Sequence, residues 1–588
     1  MGRIARTARM SGFNAPHCGS LRAHDAGREV DLYGWVARRR DHGGVTFIDL
    51  RDRWGPVQVV LRDSQHEQLR LESVIRVRGQ VSRRPAGSEN PKMATGEVEV
   101  VADDVEVLSV ADPTPFPIED PEEPDEKTRL VYRYLDLRRP PMTRMLELRN
   151  RVNRIIRDYM EAREFVEVET PILTRSSPSG ARDFLVPSRL HPGNFYALPQ
   201  APQLLKQLLM VAGLQRYYQI ARCFRDENLR ADRQPEFTQL DVEMSFCDEE
   251  DVFALVEGLF AELWHKVLGV TIPVPFPRLD IKESFLRYGT DKPDLRYELE
   301  IADLGAALAD TKAEIFRRVL AAGGVVRGLS VPGGKELTRR ELDELVTLAK
   351  GAGGQGLAWL PGGPLDKFLS EKEIGEIQRL TGAGRDDLVL IAADRRRKAE
   401  TVMGLIRQDV ARRRKLVREG EWKFLWINPT YLFEEDDQGR LTYAHHPFTR
   451  PFAEDMDFVE ERPYDVRAHA YDIVLNGYEL GGGSLRIYDP KMQERVFQLL
   501  GMPLELIRER FGTLLQAFSY GVPPHGGIAP GIDRIVMMLG GTDNIRDVIA
   551  FPKTQSMTDL MLGSPSEVDA EQIEELRIKV VPPPKPAS

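Results

Sequence analysis

Between Arg216 and Phe246 the chain reads RYYQIARCFRDENLRADRQPEFTQLDVEMSF, two runs of alternating polarity joined by a loop in which cations and acids interleave. A period of two puts Phe237, Gln239, Asp241 and Glu243 on one face of the second run, and Thr238, Leu240, Val242 and Met244 on the other. In the first run Gln219, Ala221, Cys223 and Arg225 share a face opposite Ile220 and Phe224. One side is a core face. The other carries an arginine, an aromatic ring, an amide and two acids, the side chains that bind phosphates, bases and amino acids. A solvated hairpin would explain the alternation, but not the loop RDENLRADR at 225–233. A second constellation is YDIVLNGYELGGGSLR at 471–486, where Asn476-Gly477 is a two-residue turn signal. Counting outward pairs Val474 with Glu479 and Asp472 with Gly481. Asp472 and Glu479 then lie on one face as diagonal neighbours, close enough to share a magnesium ion with phosphate oxygens. The glycine triplet that follows lets backbone approach a ligand closely.

These runs need large scaffolds, and 588 residues allow several domains. A hydrophobic fraction of 42% and a charged fraction of 29% are those of a soluble globular protein. No apolar run approaches the roughly 20 residues that cross a bilayer. The basic N-terminal segment has no apolar core and does not read as a secretory signal. Cys18, Cys223 and Cys247 lack disulfide or metal spacing, and the last two read as core thiols in strands. The expected compartment is the cytoplasm. The net charge of −10 excludes a chain that is basic throughout, yet cations cluster locally at Arg38, Arg39, Arg40, Arg51 and Arg53.

Residues 18–110 hold short β-rich runs at 30–36, 45–50, 57–61, 74–78 and 98–101, the spacing of a five-stranded OB-type barrel. The segment 111–125 is rich in proline and acids and reads as a stiff, extended linker. Met145, Leu148, Val152, Ile155, Ile156, Tyr159 and Met160 recur at helical steps, and a strand through Phe165, Val166 and Val168 follows. Leu342, Leu345, Val346 and Ala349 are helically spaced, as are Val402, Leu405, Ile406 and Val410.

The 216–246 stretch resembles motif 2 of the class II aminoacyl-tRNA synthetases, in wording the bacterial aspartyl branch of the aspartate/asparagine/lysine subgroup. GIAPGIDR at 527–534 resembles motif 3, and the segment from Arg163 through Glu169-Thr-Pro171 to Leu173 resembles motif 1. Three motifs in the family's order cover nearly the whole chain. The fold this implies is multidomain α+β. It comprises an N-terminal tail (1–17), an OB-fold anticodon-binding domain (18–110) and a linker and hinge (111–140). A catalytic domain built on an antiparallel sheet with flanking helices follows in two parts (141–290 and 423–562). They enclose an inserted α/β domain (291–422), and a C-terminal extension (563–588) completes the chain.

The resemblance implies an ATP-dependent aspartate–tRNA ligase acting as a homodimer with Mg²⁺, ATP, L-aspartate and tRNA-Asp, tRNA-Asn being the alternative second substrate. By resemblance Arg225 contacts the α-phosphate, Phe237 stacks on adenine, and Arg534 covers its other face and reaches the terminal phosphate. Asp226 and Glu227 belong to the ATP site with Glu479, Glu227 on the adenine side. Asp472 and Glu479 are the metal pair. Arg486 and Lys206 face the substrate's side-chain carboxylate, with Gln203, Asp241, His445, His446 and Ser179 completing the aspartate site. The family commonly has Ser at the place of Ala201 and Glu at that of Ser179, in a loop that closes over the amino acid. Arg40, Phe47, Gln58 and Glu99 match anticodon contacts, where rings stack and polar groups read base edges. His42 and Gly87 stand where strictly aspartate-specific relatives often have an aliphatic residue and a lysine, so the pair resembles the pattern that also charges tRNA-Asn.

Overall fold

The computed structural model describes residues 12–42, 44–62, 69–119, 122–176, 182–227, 229, 232–436 and 438–581. The chain forms two compact units, residues 1–147 with 546–566, and residues 148–545 with 567–588.

In the first unit, strands Glu29–His42, Val45–Asp52, Gly55–Leu61, Val74–Arg83 and Val98–Ser109 close into a barrel. Leu32, Val36, Ile48, Leu50, Val59, Ile75, Val77 and Val100 fill it, taken from alternate positions of each strand. The register slips between Arg78 and Gly79, where a Cβ on Gly79 would lie 2.2 Å from Val101 O, so only glycine permits this close crossing. Among its described residues the proline-rich segment 111–124 carries no helix or strand, but the chain then forms helices Glu126–Val131 and Arg133–Asp136. Asp125 caps the first by accepting from the Thr128 N–H. Buried Asp136 draws in Arg129, Arg133 and Arg139, and Arg133 also donates to the carbonyls of Arg546, Ile549 and Ala550. This stretch is folded rather than extended because its charges are internally paired.

The second unit centres on an eight-stranded sheet. Its order is Arg278–Leu279, Phe424–Ile427, Ala470–Leu475, Tyr478–Leu485, His525–Pro530, Glu236–Ser245, Arg216–Phe224 and Val166–Glu167. The inner pairs are antiparallel, while the short outermost strands pair in parallel, reached through long connections, so the sheet is mixed. Helix Glu249–Leu268 lays Phe253, Phe260 and Trp264 against Trp426 and Phe424. Helix Pro140–Glu161 carries the expected stripe, with Val152, Ile156 and Met160 fully buried. Cys223 is buried in its strand, but Cys247 lies in the turn after Ser245, contrary to expectation, since the strand ends at that serine.

Residues 301–394 form a separate four-stranded sheet, ordered Ile301–Asp303, Val325–Val331, Leu388–Asp394 and Ala358–Leu360. Leu388 and Leu390 point to one core beside Leu345, Val402 and Ile406, whereas Val389 and Ile391 point to another beside Phe316 and Ile377. Helices therefore cover both faces, but every strand pair is antiparallel, unlike a wound α/β sheet. Arg407, on the helix Arg396–Arg413 after this sheet, ties that helix to the chain that leads into the sheet. Its guanidinium donates to the carbonyls of Asp294 and Leu299 and lies over the rings of Tyr288 and Tyr297. One turn away, Gly404 packs on Gly289, and a Cβ on Gly404 would sit 2.4 Å from Gly289 O. Gly404→Ala is expected to lower stability by about 1–3 kcal/mol, the usual cost of overpacking. Urea unfolding measures it, and an unchanged midpoint would show that this contact does not anchor the insert.

Candidate active site

The strands Arg216–Phe224 and Glu236–Ser245 pair Cys223 with Phe237, Ala221 with Gln239 and Gln219 with Asp241, so the polar face is built as the alternation requires. It forms the floor of a cavity of about 650 Å³. Gln203, Lys206, Arg225, Glu227, Phe237, Asp241, His445, His446, Asp472, Glu479, Arg486 and Arg534 all line it, as does Ala201. Asp226 does not; its backbone N–H instead donates to Arg182 O at 3.1 Å. Ser179 lies outside the described residues.

At one end two cations and two acids interlock. Arg486 forks onto Glu243, both bonds at 2.9 Å, and its Nη1 donates to Ser484 Oγ and His446 Nε2. Lys206 Nζ lies 2.5 Å from Asp241 Oδ1 and 3.3 Å from Glu243 Oε2. All four side chains are buried, which is tolerable because each charge meets an opposite one. Although burial alone would raise it, the Glu243 carboxyl is held down to about 2 by Arg486 and Lys206. In Asp241 burial wins and the carboxyl is raised in spite of Lys206. Burial, with Arg486, His445 and Lys206 adding to it, pushes His446 well below the ordinary imidazole value, so the neutral ring accepts from Arg486. Two buried atoms at this end have no hydrogen-bond partner among the described residues, the acceptor Asp241 Oδ2 and the donor Gln203 Nε2. A ligand bearing both an ammonium and a carboxylate would satisfy them together.

Further along, Arg225 lies over the Phe237 ring at 5.0 Å. Arg534 donates to Glu479 O at 2.7 Å and meets Asp232 at 3.2 Å, while the neighbouring Asp533 accepts from the Thr238 N–H. Glu227 pairs with Arg233 at 3.1 Å. Aromatic and guanidinium faces thus stand beside a row of donors, suiting a flat base joined to phosphates.

The acid hairpin differs from the outward count. Val474 pairs with Glu479 as expected, but Asp472 pairs with Gly482, not Gly481, because a bulge falls between Ile473 and Val474. The acids still converge. A Cβ on Gly482 would be 2.6 Å from Asp472 Oδ1 and 3.8 Å from Glu479 Oε1. Gly481 and Gly483 are required by the adjoining strand, where a Cβ would lie 2.6 Å from Pro530 Cα and 2.3 Å from Gly527 O. Burial, then Glu479 and Asp291, push the Asp472 carboxyl well up. His445 bonds Thr430 at 3.1 Å and stands 3.8 Å from Asp472. Among the described residues no three His, Cys, Asp or Glu side chains gather as a metal cage, so a cation here would have two protein carboxylates and leave other positions to ligand or water.

Sequence reasoning gave no role to Glu243, Asp291, Arg397 or Asp533. Glu243 was visible on the polar face; its pairing with Arg486, 243 residues away, was not.

On the barrel, Arg40 bonds Asp49 at 3.0 Å and Gln58 at 3.2 Å, and Gln58 bonds Glu99 at 2.8 Å. Phe47 lies opposite Arg40 across the strand pair. The four expected residues therefore share one patch, with buried Asp49 and Arg84 beneath it. His42 and Gly87 are exposed, and Gly87 has φ +87° with nothing within 4 Å of where a Cβ would stand.

Residues 125–555 match the family model of tRNA synthetases class II (D, K and N), and residues 30–108 that of the OB-fold nucleic acid binding domain. The chain is 52% identical to the aspartate–tRNA(Asp/Asn) ligase of Syntrophomonas wolfei, covering 95% of this chain and 98% of that one. It is also 52% identical to the enzyme of that name from Moorella thermoacetica, covering 97% of each. In fold it is similar to an asparaginyl-tRNA synthetase from Pyrococcus horikoshii complexed with asparaginyl-adenylate. The TM-score is 0.58 at 19% identity, over 92% of this chain and 98% of that one.

Proposed function

The chain belongs to the class II tRNA synthetases of the D, K and N group, and on that footing we propose that it is an aspartate–tRNA ligase. It joins L-aspartate to ATP, forming aspartyl-adenylate and pyrophosphate, then passes the aspartyl group to the 3′ end of tRNA with release of AMP. The observation that carries this reading is the buried Arg486–Glu243–Lys206–Asp241 square, with the orphaned Asp241 Oδ2 and Gln203 Nε2 beside it.

Aspartate's side-chain carboxylate lies against Arg486 and Lys206, with His446 and His445 beside it. Its ammonium reaches Asp241, and its α-carboxylate reaches Gln203. The first step brings two anions together, so cations must hold them in line. Arg225 takes the α-phosphate, Phe237 and Arg534 sandwich adenine, and Glu227 reads its edge. Of the ATP residues named from the sequence, Asp226 acts through its backbone in positioning the loop. Asp472 and Glu479 fit a hard divalent cation, because their carboxylates converge and burial, with Glu479 beside it, disfavours the charge on Asp472. Mg²⁺ bound there would neutralise phosphate charge.

We read the enzyme as a cytoplasmic homodimer. Support comes from the exposed apolar side chains Val166, Ile172, Leu173, Leu185, Phe195 and Tyr196, a surface of the kind that a second copy covers. No helix among the described residues is long and apolar enough to cross a membrane. The patch Arg40, Phe47, Gln58 and Glu99 reads the anticodon.

The same barrel sets which tRNA is charged. tRNA-Asp and tRNA-Asn differ at the last anticodon base. Exposed His42 can bond either pyrimidine, and Gly87 offers no side chain to exclude one. With relatives named for both tRNAs, charging of tRNA-Asn is the expected result. Aspartylation of the two purified tRNAs side by side measures it. A preference for tRNA-Asp above about a thousandfold, within what unpaired polar groups enforce, would leave the strict enzyme.

A further inference from the structure

The Arg486 guanidinium is held on one side by Glu243 and on the other by an uncharged ring. Its Nη1 lies 2.6 Å from His446 Nε2 and 2.6 Å from Ser484 Oγ. An arginine nitrogen only donates, so His446 Nε2 accepts; a proton on both nitrogens would leave two hydrogens facing across that gap. The imidazole is therefore neutral, in keeping with its burial beside Arg486, and its proton sits on Nδ1.

That second nitrogen has neighbours of opposite capacity. The Phe448 N–H, at 3.3 Å, can only donate and so favours a bare Nδ1. Thr449 Oγ1, also at 3.3 Å, can accept the Nδ1 proton. The competing acceptor is the residue's own carbonyl, which already takes the Thr449 N–H at 3.2 Å. Thr449 is 2% exposed, and its backbone bridges that of Arg486, so ring, hydroxyl and guanidinium keep a fixed relation. The bond made by one imidazole nitrogen sets what the other can do. We propose that Thr449 is a positioning residue for aspartate selection, its hydroxyl fixing the His446 tautomer whose Nε2 accepts from Arg486. The inference rests on the ligase reading, in which Arg486 meets the substrate's side-chain carboxylate. Without the hydroxyl, the Phe448 N–H decides the tautomer, the ring proton moves to Nε2, and the imidazole presents a donor to Arg486.

Thr449→Val keeps the branched shape and removes the hydroxyl, whereas Thr449→Ser keeps the hydroxyl and removes a methyl. A packing role makes valine the milder change; the tautomer makes serine the milder one. In ATP–pyrophosphate exchange without tRNA, Thr449→Val should raise the KM for aspartate on the order of tenfold, as for a lost hydrogen bond to a charged group, with the KM for ATP within about twofold. Thr449→Ser, which keeps the bond, should stay within about threefold on both. In a His446→Gln background Thr449→Val should add nothing, since its effect passes through the ring. Nitrogen NMR of isotope-labelled histidines, with His446 assigned from the His446→Gln variant, should show the proton on Nδ1 in wild type and on Nε2 in Thr449→Val. An unchanged KM for aspartate, serine worse than valine, an additive loss in the double variant, or an unmoved proton in Thr449→Val would each overturn the proposal. If wild type showed no aspartate-dependent exchange, the ligase reading would fall, while the spectra would still decide the tautomer.

Discussion

Replacing Arg486 with leucine is expected to lower aspartate-dependent adenylate formation by at least about a thousandfold, equivalent to roughly 4 kcal/mol, while ATP binding changes by no more than a few-fold. Arg486 is buried at the amino-acid end of the cavity, whereas the residues assigned to ATP lie along Arg225, Phe237 and Arg534. Four of its five donors are engaged by Glu243, Ser484 and His446 among the described residues, which fixes the guanidinium and leaves one Nη2 hydrogen for a ligand. The single variant has a structural cost as well. Removing one partner of a buried pair typically costs about 3–5 kcal/mol, because the other charge is stranded. The double variant Arg486→Met/Glu243→Gln removes both charges and tests function apart from folding. It should recover much of the lost stability and none of the activity with aspartate. Recovery of aspartate activation in the double variant, or equal loss of ATP affinity, would contradict the assignment.

The second large effect concerns the acid hairpin. Asp472→Asn with Glu479→Gln should remove most of the exchange rate, by on the order of a hundredfold or more, and with it the dependence on magnesium. The two carboxylates converge at Gly482, so together they repel each other and together they would hold a hard cation. Each amide keeps the size of the acid it replaces and removes only charge, so the fold should persist. Titrating Mg²⁺ into the ATP complex gives a readout besides turnover, with half-saturation moving to higher concentration in the variant. Near-normal exchange at ordinary magnesium would remove these residues from the metal site.

The polar face of the paired strands was legible because a period of two is rigid, so Phe237, Gln239 and Asp241 could only point the same way. The barrel and the buried stripe of helix Pro140–Glu161 were legible for the same kind of reason. The hairpin count failed by one residue at Asp472, because a bulge adds a residue without changing the turn that signals the pairing. Helical pieces within the linker were hidden by the prolines before them, since what folds them is a set of arginines meeting Asp136. Likewise, Arg397 and Asp291 reach the cavity from the insert, and no local pattern relates them to Arg225. Spacing reveals which face a residue occupies, but not the distant charge that it meets.

The central claim is that this cavity activates aspartate, and pyrophosphate exchange by the purified chain without tRNA tests it most directly, with aspartate and asparagine compared at equal concentration. The account predicts magnesium-dependent exchange with aspartate and a preference over asparagine of about a thousandfold or more, since a neutral amide offers no anion to the remaining Arg486 donor and Lys206. Exchange that is absent with aspartate, or equal with asparagine, would contradict it.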